Sequence, residues 1–280
     1  MKDSMATRFS LHRTRIFTMA LVCALLVLNN SALAATTSKS LRQNNEKVKT
    51  PAFILKPYTA TYNASIKGVP FGGSGERSLT KNSDGSWTLA FSADAAFFGM
   101  KENSDFLARE GQLISNQYMQ QRTGLGKKPT EYASFDWKNN KVNWQQGDKQ
   151  WSMNLKPETL DNLSYQLKLR MDLATASVKQ LSYYVADDDE VYQRRFIVEG
   201  EEVLATDLGK LKTVRVKIQR ENSNRATWIW FAKDHDYFLV KILQEEKGTA
   251  YTIDIKEASI DGKPLKKKQT VKPSERPGHP

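Results

Sequence analysis

Val214-Arg215-Val216-Lys217-Ile218-Gln219 alternates apolar and polar side chains, and the pattern repeats through the stretch from Phe196 to Ile260. Ala226, Trp228, Trp230 and Ala232 alternate with Thr227, Ile229 and Phe231. Phe238, Val240 and Ile242 alternate with Leu239 and Lys241, and Tyr251, Ile253 and Ile255 with Thr252, Asp254 and Lys256. A period of two places each set on one face of a sheet. The breaks are turn-like: Asp207-Leu208-Gly209, Glu221 to Asn224, Lys233 to Asp236 and Glu245 to Gly248. Short turns between such runs predict an antiparallel meander.

Working backwards, the same pattern recurs. Tyr58, Ala60, Tyr62, Ala64 and Ile66 form a first strand, followed by Gly68 to Gly75, a glycine-rich stretch. That stretch lacks a Gly-Lys-Ser/Thr ending and a following helix, so it reads as a wide turn or bulge and not as a phosphate loop. Trp87 to Ala93, Phe106 to Arg109, Leu113 to Arg122, Glu131 to Trp137, Lys141 to Gln145 and Gln150 to Leu155 read as further strands. Phe97 to Met100 is an apolar knot expected to cover one end of the sheet. One segment differs. From Pro157, Leu160, Leu163, Leu167 and Met171 recur at helical spacing, with Pro157 suited to a first turn. A helix of about four turns is not stable alone in water and must lay its leucines on a sheet. Leu181 to Ala186 and Val191 to Val198 then flank the acidic tip Asp187 to Glu190, which lacks the pattern of a calcium loop.

The ends of the chain read differently. Lys2, Arg8, Arg13 and Arg15 precede an apolar run from Ile16 to Leu28, and Ala32-Leu33-Ala34 follows. This is the pattern of a secretory signal cleaved after Ala34. The run is too short for a comfortable membrane span, which needs roughly 20 residues. Cys23 is the single cysteine and sits within the run behind Val22, so lipidation is not expected and the mature chain would hold no thiol. The expected organisation is a signal peptide at 1–34, a polar leader at 35–50, one β-rich domain at 51–262 and a basic disordered tail at 263–280. The net charge is +11, of which the signal carries +3 (four basic residues and Asp3). A basic exported chain is drawn to anionic envelope components. Export argues against a nucleic-acid partner.

Catalytic signals are sparse. His235 is the one histidine between the expected signal and tail, and it falls in a turn. No serine sits in a nucleophile elbow, and no histidine-rich metal set exists. Asp161 and Ser164, three apart, read as capping of a helix start. No catalytic residue, metal ligand or cofactor is therefore assigned. Trp228-Ile229-Trp230-Phe231 is the most aromatic point and reads either as sheet core or as the lining of an apolar cavity.

Tyr58 with Tyr62, Leu160-Asp161-Asn162-Leu163-Ser164-Tyr165, Thr206 to Gly209 and Trp228 to Ala232 together resemble a family of exported Gram-negative bacterial proteins. That family is catalogued only as a domain of unknown function. Its usual leucine-proline pair after the aromatic strand is replaced here by Phe238-Leu239-Val240. The resemblance spans roughly Pro51 to Gly262. It implies a periplasmic location and a strongly curved antiparallel sheet or open β-barrel with one helix on the concave side. It implies no activity.

The leading expectation is thus a non-enzymatic periplasmic protein that binds an apolar or lipid-like ligand or an envelope partner. Tyr58, Tyr62, Leu163, Leu167, Trp228 and Trp230 are the residues expected to line its pocket. A polysaccharide hydrolase with two facing carboxylates is the first alternative. An assembly factor acting through a sheet edge is the second.

Overall fold

The computed structural model describes residues 53–69, 72–95, 97–124, 127–220 and 223–265. The expected signal, the leader and the tail from 266 onward lie outside the described residues, as do positions 70, 71, 96, 125, 126, 221 and 222.

The first half is a meander of eight strands: β1 (Tyr58–Ile66), β2 (Gly73–Lys81), β3 (Trp87–Ala95), β4 (Phe98–Arg109), β5 (Gln112–Gly124), β6 (Lys128–Asp136), β7 (Lys141–Gln146) and β8 (Lys149–Asn154). The helix α1 (Ser164–Thr175) follows. The second half is a meander of six: β9 (Gln180–Asp187), β10 (Glu190–Thr206), β11 (Gly209–Gln219), β12 (Arg225–Ala232), β13 (Phe238–Glu246) and β14 (Thr249–Ile260). β1 pairs antiparallel with β14, so the two meanders join into one sheet whose edges are β8 and β9. A short β15 (Lys263–Pro264) adds to the end of β14, and Leu265 N–H bonds Ala258 O at 2.8 Å, so order runs past the expected boundary at 262.

An antiparallel sheet this wide curls because each strand adds right-handed twist. It does not close into a continuous ladder. The chain leaving β8 spans the gap instead. Leu160 makes a parallel bridge to β9, accepting from Ala186 N–H and donating to Tyr184 O, both at 2.8 Å. Trp151 on β8 also donates through Nε1 to Asp188 O at 2.9 Å.

α1 sits inside the curl. Tyr165, Leu167, Leu169, Arg170, Met171 and Leu173 are all buried, a distribution that no single apolar stripe explains. Strands of both halves reach it: Arg77 of β2 bonds Gln166, Ser115 of β5 lies 3.4 Å from Ser164, and Tyr183 of β9 donates to Asp172 at 2.7 Å. The helix begins at Ser164 and not near Pro157. Leu160 is drawn into the bridge with β9, and the following residues turn inward to start the helix. The expected strand from Phe106 begins earlier, because Phe98 to Met100 pair with Ala93 to Ala95 as the start of β4. The glycine-rich stretch is in part a strand: Gly73 opens β2, where a Cβ would come within 2.0 Å of Asp94 O.

Candidate functional site

The six residues expected to line one pocket lie on two faces of the sheet. Tyr58, Tyr62, Leu163 and Leu167 point inward, each 6% exposed or less. The Tyr62 hydroxyl donates to Leu239 O at 3.0 Å, tying β1 to β13 across β14. Burial pushes its pKa up, which keeps the donor protonated. The Tyr58 hydroxyl accepts from Arg77 Nε at 3.0 Å, and its ring meets Phe238 edge-on at 5.0 Å.

Trp228 and Trp230 point outward. They pair with Lys217 and Arg215 on one side and with Leu243 and Lys241 on the other. Paired residues share a face, and that face is opposite to Ile229, Val216 and Ile242. Lys217 Nζ lies 5.4 Å from the Trp228 ring and Lys241 Nζ 5.8 Å from the Trp230 ring. The far end of the β10–β11 hairpin covers Trp230. β10 is bulged between Val198 and Gly200, and beyond the bulge Glu202 accepts from Trp230 Nε1 at 2.7 Å. At the hairpin tip Asp207 accepts from Asn63 of β1 at 2.9 Å. The arm therefore crosses β12, β13 and β14. Six residues divided between an inner and an outer face do not form one apolar lining.

The inner face instead holds a buried polar network. Asp161 is fully buried. Its Oδ1 accepts from the backbone of Leu163 at 2.9 Å and Ser164 at 2.8 Å, while Ser164 Oγ accepts from Asp161 N–H at 3.0 Å. This reciprocal arrangement is a capping box. The other oxygen accepts from Ser104 at 2.6 Å and Ser115 at 3.3 Å, binding α1 to β4 and β5. Nearby, Glu102 accepts from Tyr118 and from Gln120 Nε2 at 3.0 Å. Burial raises the pKa of both carboxyls against the pull of these hydrogen bonds. Arg77 is buried beside Tyr58 and Gln166, and Arg170 stacks over Phe238 at 4.8 Å while donating to Asp236 O. These groups satisfy one another, and they are far from solvent. They hold the helix in place.

The accessible hollow lies on the other side of the sheet. A groove of about 690 Å³ crosses the outer face of β4 to β8. Two rows of paired residues form it. One row is Asp105, Gln117, Ser134, Asn143 and Ser152. The other is Asn103, Met119, Tyr132, Gln145 and Gln150. Tyr132 stands at the centre, on the middle strand, and is 52% exposed. Asp105 is the single carboxylate of the lining, and it accepts from Thr88 at 2.6 Å. No lysine or arginine lines the groove. A smaller hollow of about 410 Å³ sits at the turns after β1 and between β13 and β14, beside the Arg225–Glu246 ion pair at 2.9 Å.

The sequence reading did not single out any residue of these rows. The signal was present as alternation: Gln, Asn and Ser occupy successive outward positions on neighbouring strands, but only the register shows that they align. Among the described residues no three His, Cys, Asp or Glu side chains gather as a metal site. His235 lies in a 3-10 turn (Lys233–His235), away from any nucleophile elbow. Among the described residues no helix is long and apolar enough to cross a membrane.

Comparison with known structures supports the fold. A β-barrel-like protein of the domain of unknown function DUF1849 from Brucella abortus superposes with a TM-score of 0.52 at 11% identity, over 75% of this chain and 99% of that one. At that identity the likeness speaks for the fold alone. MucB, solved in complex with MucA(peri), aligns over 74% of this chain and 90% of that one at 10% identity, with a TM-score of 0.15 that carries no argument. No curated protein sequence matches the chain. The family described as "Protein of unknown function (DUF3108)" matches residues 57–256, from the start of the first strand nearly to the end of the last long one, and the chain belongs to that family.

Proposed function

We propose that this is a non-enzymatic binding protein of the periplasm, and that it engages a component of the cell envelope on the outer face of β4 to β8. The observation that carries this reading is the division of the sheet into a filled side and an open one. α1 and its polar network occupy the concave side, which leaves the groove as the place where a partner finds accessible polar groups. The apolar lining that a lipid carrier needs is divided between two faces. The groove holds one carboxylate, whereas a glycosidase needs a facing pair. The basic run ahead of Ile16 to Leu28 and the Ala32-Leu33-Ala34 site support export.

Fractionation of cells expressing the full chain tests the location: release with the periplasmic contents, shortened by the first 34 residues, is expected. Retention in the cytoplasm at full length would refute it. Co-sedimentation of the purified protein with washed Gram-negative envelope fragments tests the binding face. Tyr132→Ala is expected to reduce the bound fraction at least tenfold, and Tyr251→Ala, an exposed tyrosine elsewhere on the sheet, to leave it unchanged.

A further inference from the structure

Resting on that reading, we infer that the groove takes an uncharged polysaccharide strand, lying across β4 to β8 along the two paired rows. The first argument is charge. The chain carries 42 lysines and arginines in 280 residues, yet none lines this groove. The one carboxylate there is already bonded to Thr88. An anionic lipid surface or a polyanion requires cations at the contact, so the face complements a neutral partner.

The second argument is chemistry. Gln117, Asn103 and Gln150 present carboxamides and Ser134 a hydroxyl, while Ser152 donates to Asn143 Oδ1 at 2.7 Å and Gln145 Nε2 to Gly147 O at 3.1 Å, which leaves the Asn143 amide N–H and the Gln145 oxygen for a partner. Each carboxamide both donates and accepts, and each hydroxyl does the same. A sugar hydroxyl is likewise a donor and an acceptor, so the amide and hydroxyl positions match it without a charge. Tyr132 adds a flat exposed ring on which the C–H face of a pyranose can stack while its hydroxyl hydrogen-bonds at the rim. Met119 is its neighbour in the row and extends the apolar platform.

The third argument is spacing. Neighbouring strands lie roughly 4.8 Å apart, so five of them set out hydrogen-bonding groups at that interval over roughly 19 Å. That interval is close to the length of one pyranose unit in an extended chain. A strand of sugars running along the first row would therefore meet a polar side chain at each residue. A peptide added as a further strand would instead use the backbone of an edge, and the groove lies on the face of the sheet.

The test is calorimetric titration of the purified full chain with two soluble probes, the linear tetrasaccharide of N-acetylglucosamine and cellotetraose, beside vesicles of phosphatidylglycerol. The expected result is saturable binding of at least one tetrasaccharide. Tyr132→Ala and the pair Gln117→Ala with Asn143→Ala should each weaken it at least tenfold. Tyr132→Phe, which keeps the ring and loses the rim hydrogen bond, should weaken it less than Tyr132→Ala does, and Tyr251→Ala should stay within twofold. All these positions are exposed, and unchanged thermal midpoints would separate lost binding from lost folding. Sugar binding that is indifferent to Tyr132 and Gln117 would overturn the inference. So would failure of both sugars to bind at millimolar concentration. If envelope co-sedimentation still depended on Tyr132 in that case, the binding face would stand and only the polysaccharide would fall. Vesicle binding abolished by Tyr132→Ala would replace the sugar by a lipid.

Discussion

The outer faces of the two half-sheets are built from opposite materials. Over β11 to β13 the outward residues are Trp228 and Trp230, set between Arg215, Lys217, Lys241 and Leu243, with the β10–β11 arm laid across. Over β4 to β8 they are mostly amides and hydroxyls, with Asp105, Met119 and one central tyrosine, and among the described residues nothing covers them. The first face uses cationic stems and a hairpin to hide aromatic area from water. The second leaves polar side chains accessible in a hollow. Aromatic density, the more conspicuous signal in the sequence, thus marks internal packing here, and the plainer polar rows mark the surface that has capacity to bind.

Five measurements can overturn or refine that contrast. The largest effect should come from Trp230→Ala. Removing a buried indole, and with it the bond to Glu202, is expected to cost about 3–5 kcal/mol in denaturant unfolding. A change below about 1 kcal/mol would mean that the arm does not seal this face. Asp161→Ala comes next. It deprives two helix N–H groups and two buried serines of their acceptor, and about 3 kcal/mol should be lost. Asp161→Asn keeps most of those bonds once the serine hydroxyls rotate, and should recover much of the loss. Tyr62→Phe removes only the bond to Leu239 O and leaves that carbonyl unpaired, for about 1–2 kcal/mol.

The fourth expectation concerns pH. Asp161 and Glu102 hold their protons to higher pH in the folded chain than in the unfolded one. Their contribution is therefore complete below the ordinary carboxylate range, at about pH 4, and declines as pH rises through the raised values. The thermal midpoint should fall across that window, and Asp161→Asn should flatten the fall. Asp84, Asp136 and Glu246 are shifted the other way by hydrogen bonds, chiefly from Ser86, Asn139 and Arg225, and their contribution is lost only as acid protonates them. A midpoint rising steadily from pH 4 to 8 would contradict the assignment. The smallest stability effect belongs to Tyr132→Ala, within about 0.5 kcal/mol, since the side chain is half in water.

Much of this fold was legible in the sequence because its strands alternate cleanly. The inward sets Val214, Val216 and Ile218, or Tyr58, Ala60 and Tyr62, stand where a period of two puts them. Alternation fails where a bulge intervenes. Phe231 and Ala232, then Phe238, Leu239 and Val240, are all buried, because the register shifts between Trp230 and Phe231, the arm lies on the outer side, and Tyr58 and Arg170 pack on Phe238. The helix start was misplaced for a related reason: Leu160 fits a helical spacing but serves the bridge to β9. The division of the six expected pocket residues could not be read from the chain either. Which of two alternating sets faces the helix depends on how the sheet curls, and Trp228 and Trp230 satisfy hydrophobic patterning equally well beside Lys217 and Lys241 on the outer face. The polar rows are a property of register across five strands, and no single strand announces them.

The arm-covered outer face of β11 to β13 is for stability, and the outer face of β4 to β8 is for binding. The most direct test is to compare Tyr132→Ala and Trp230→Ala side by side, measuring for each the thermal midpoint and the fraction captured by envelope fragments. Tyr132→Ala should keep its midpoint and lose capture at least tenfold. Trp230→Ala should lose many degrees and, at temperatures where it remains folded, bind as the parent does. If Tyr132→Ala binds normally while folded Trp230→Ala does not, the faces have been assigned the wrong way round.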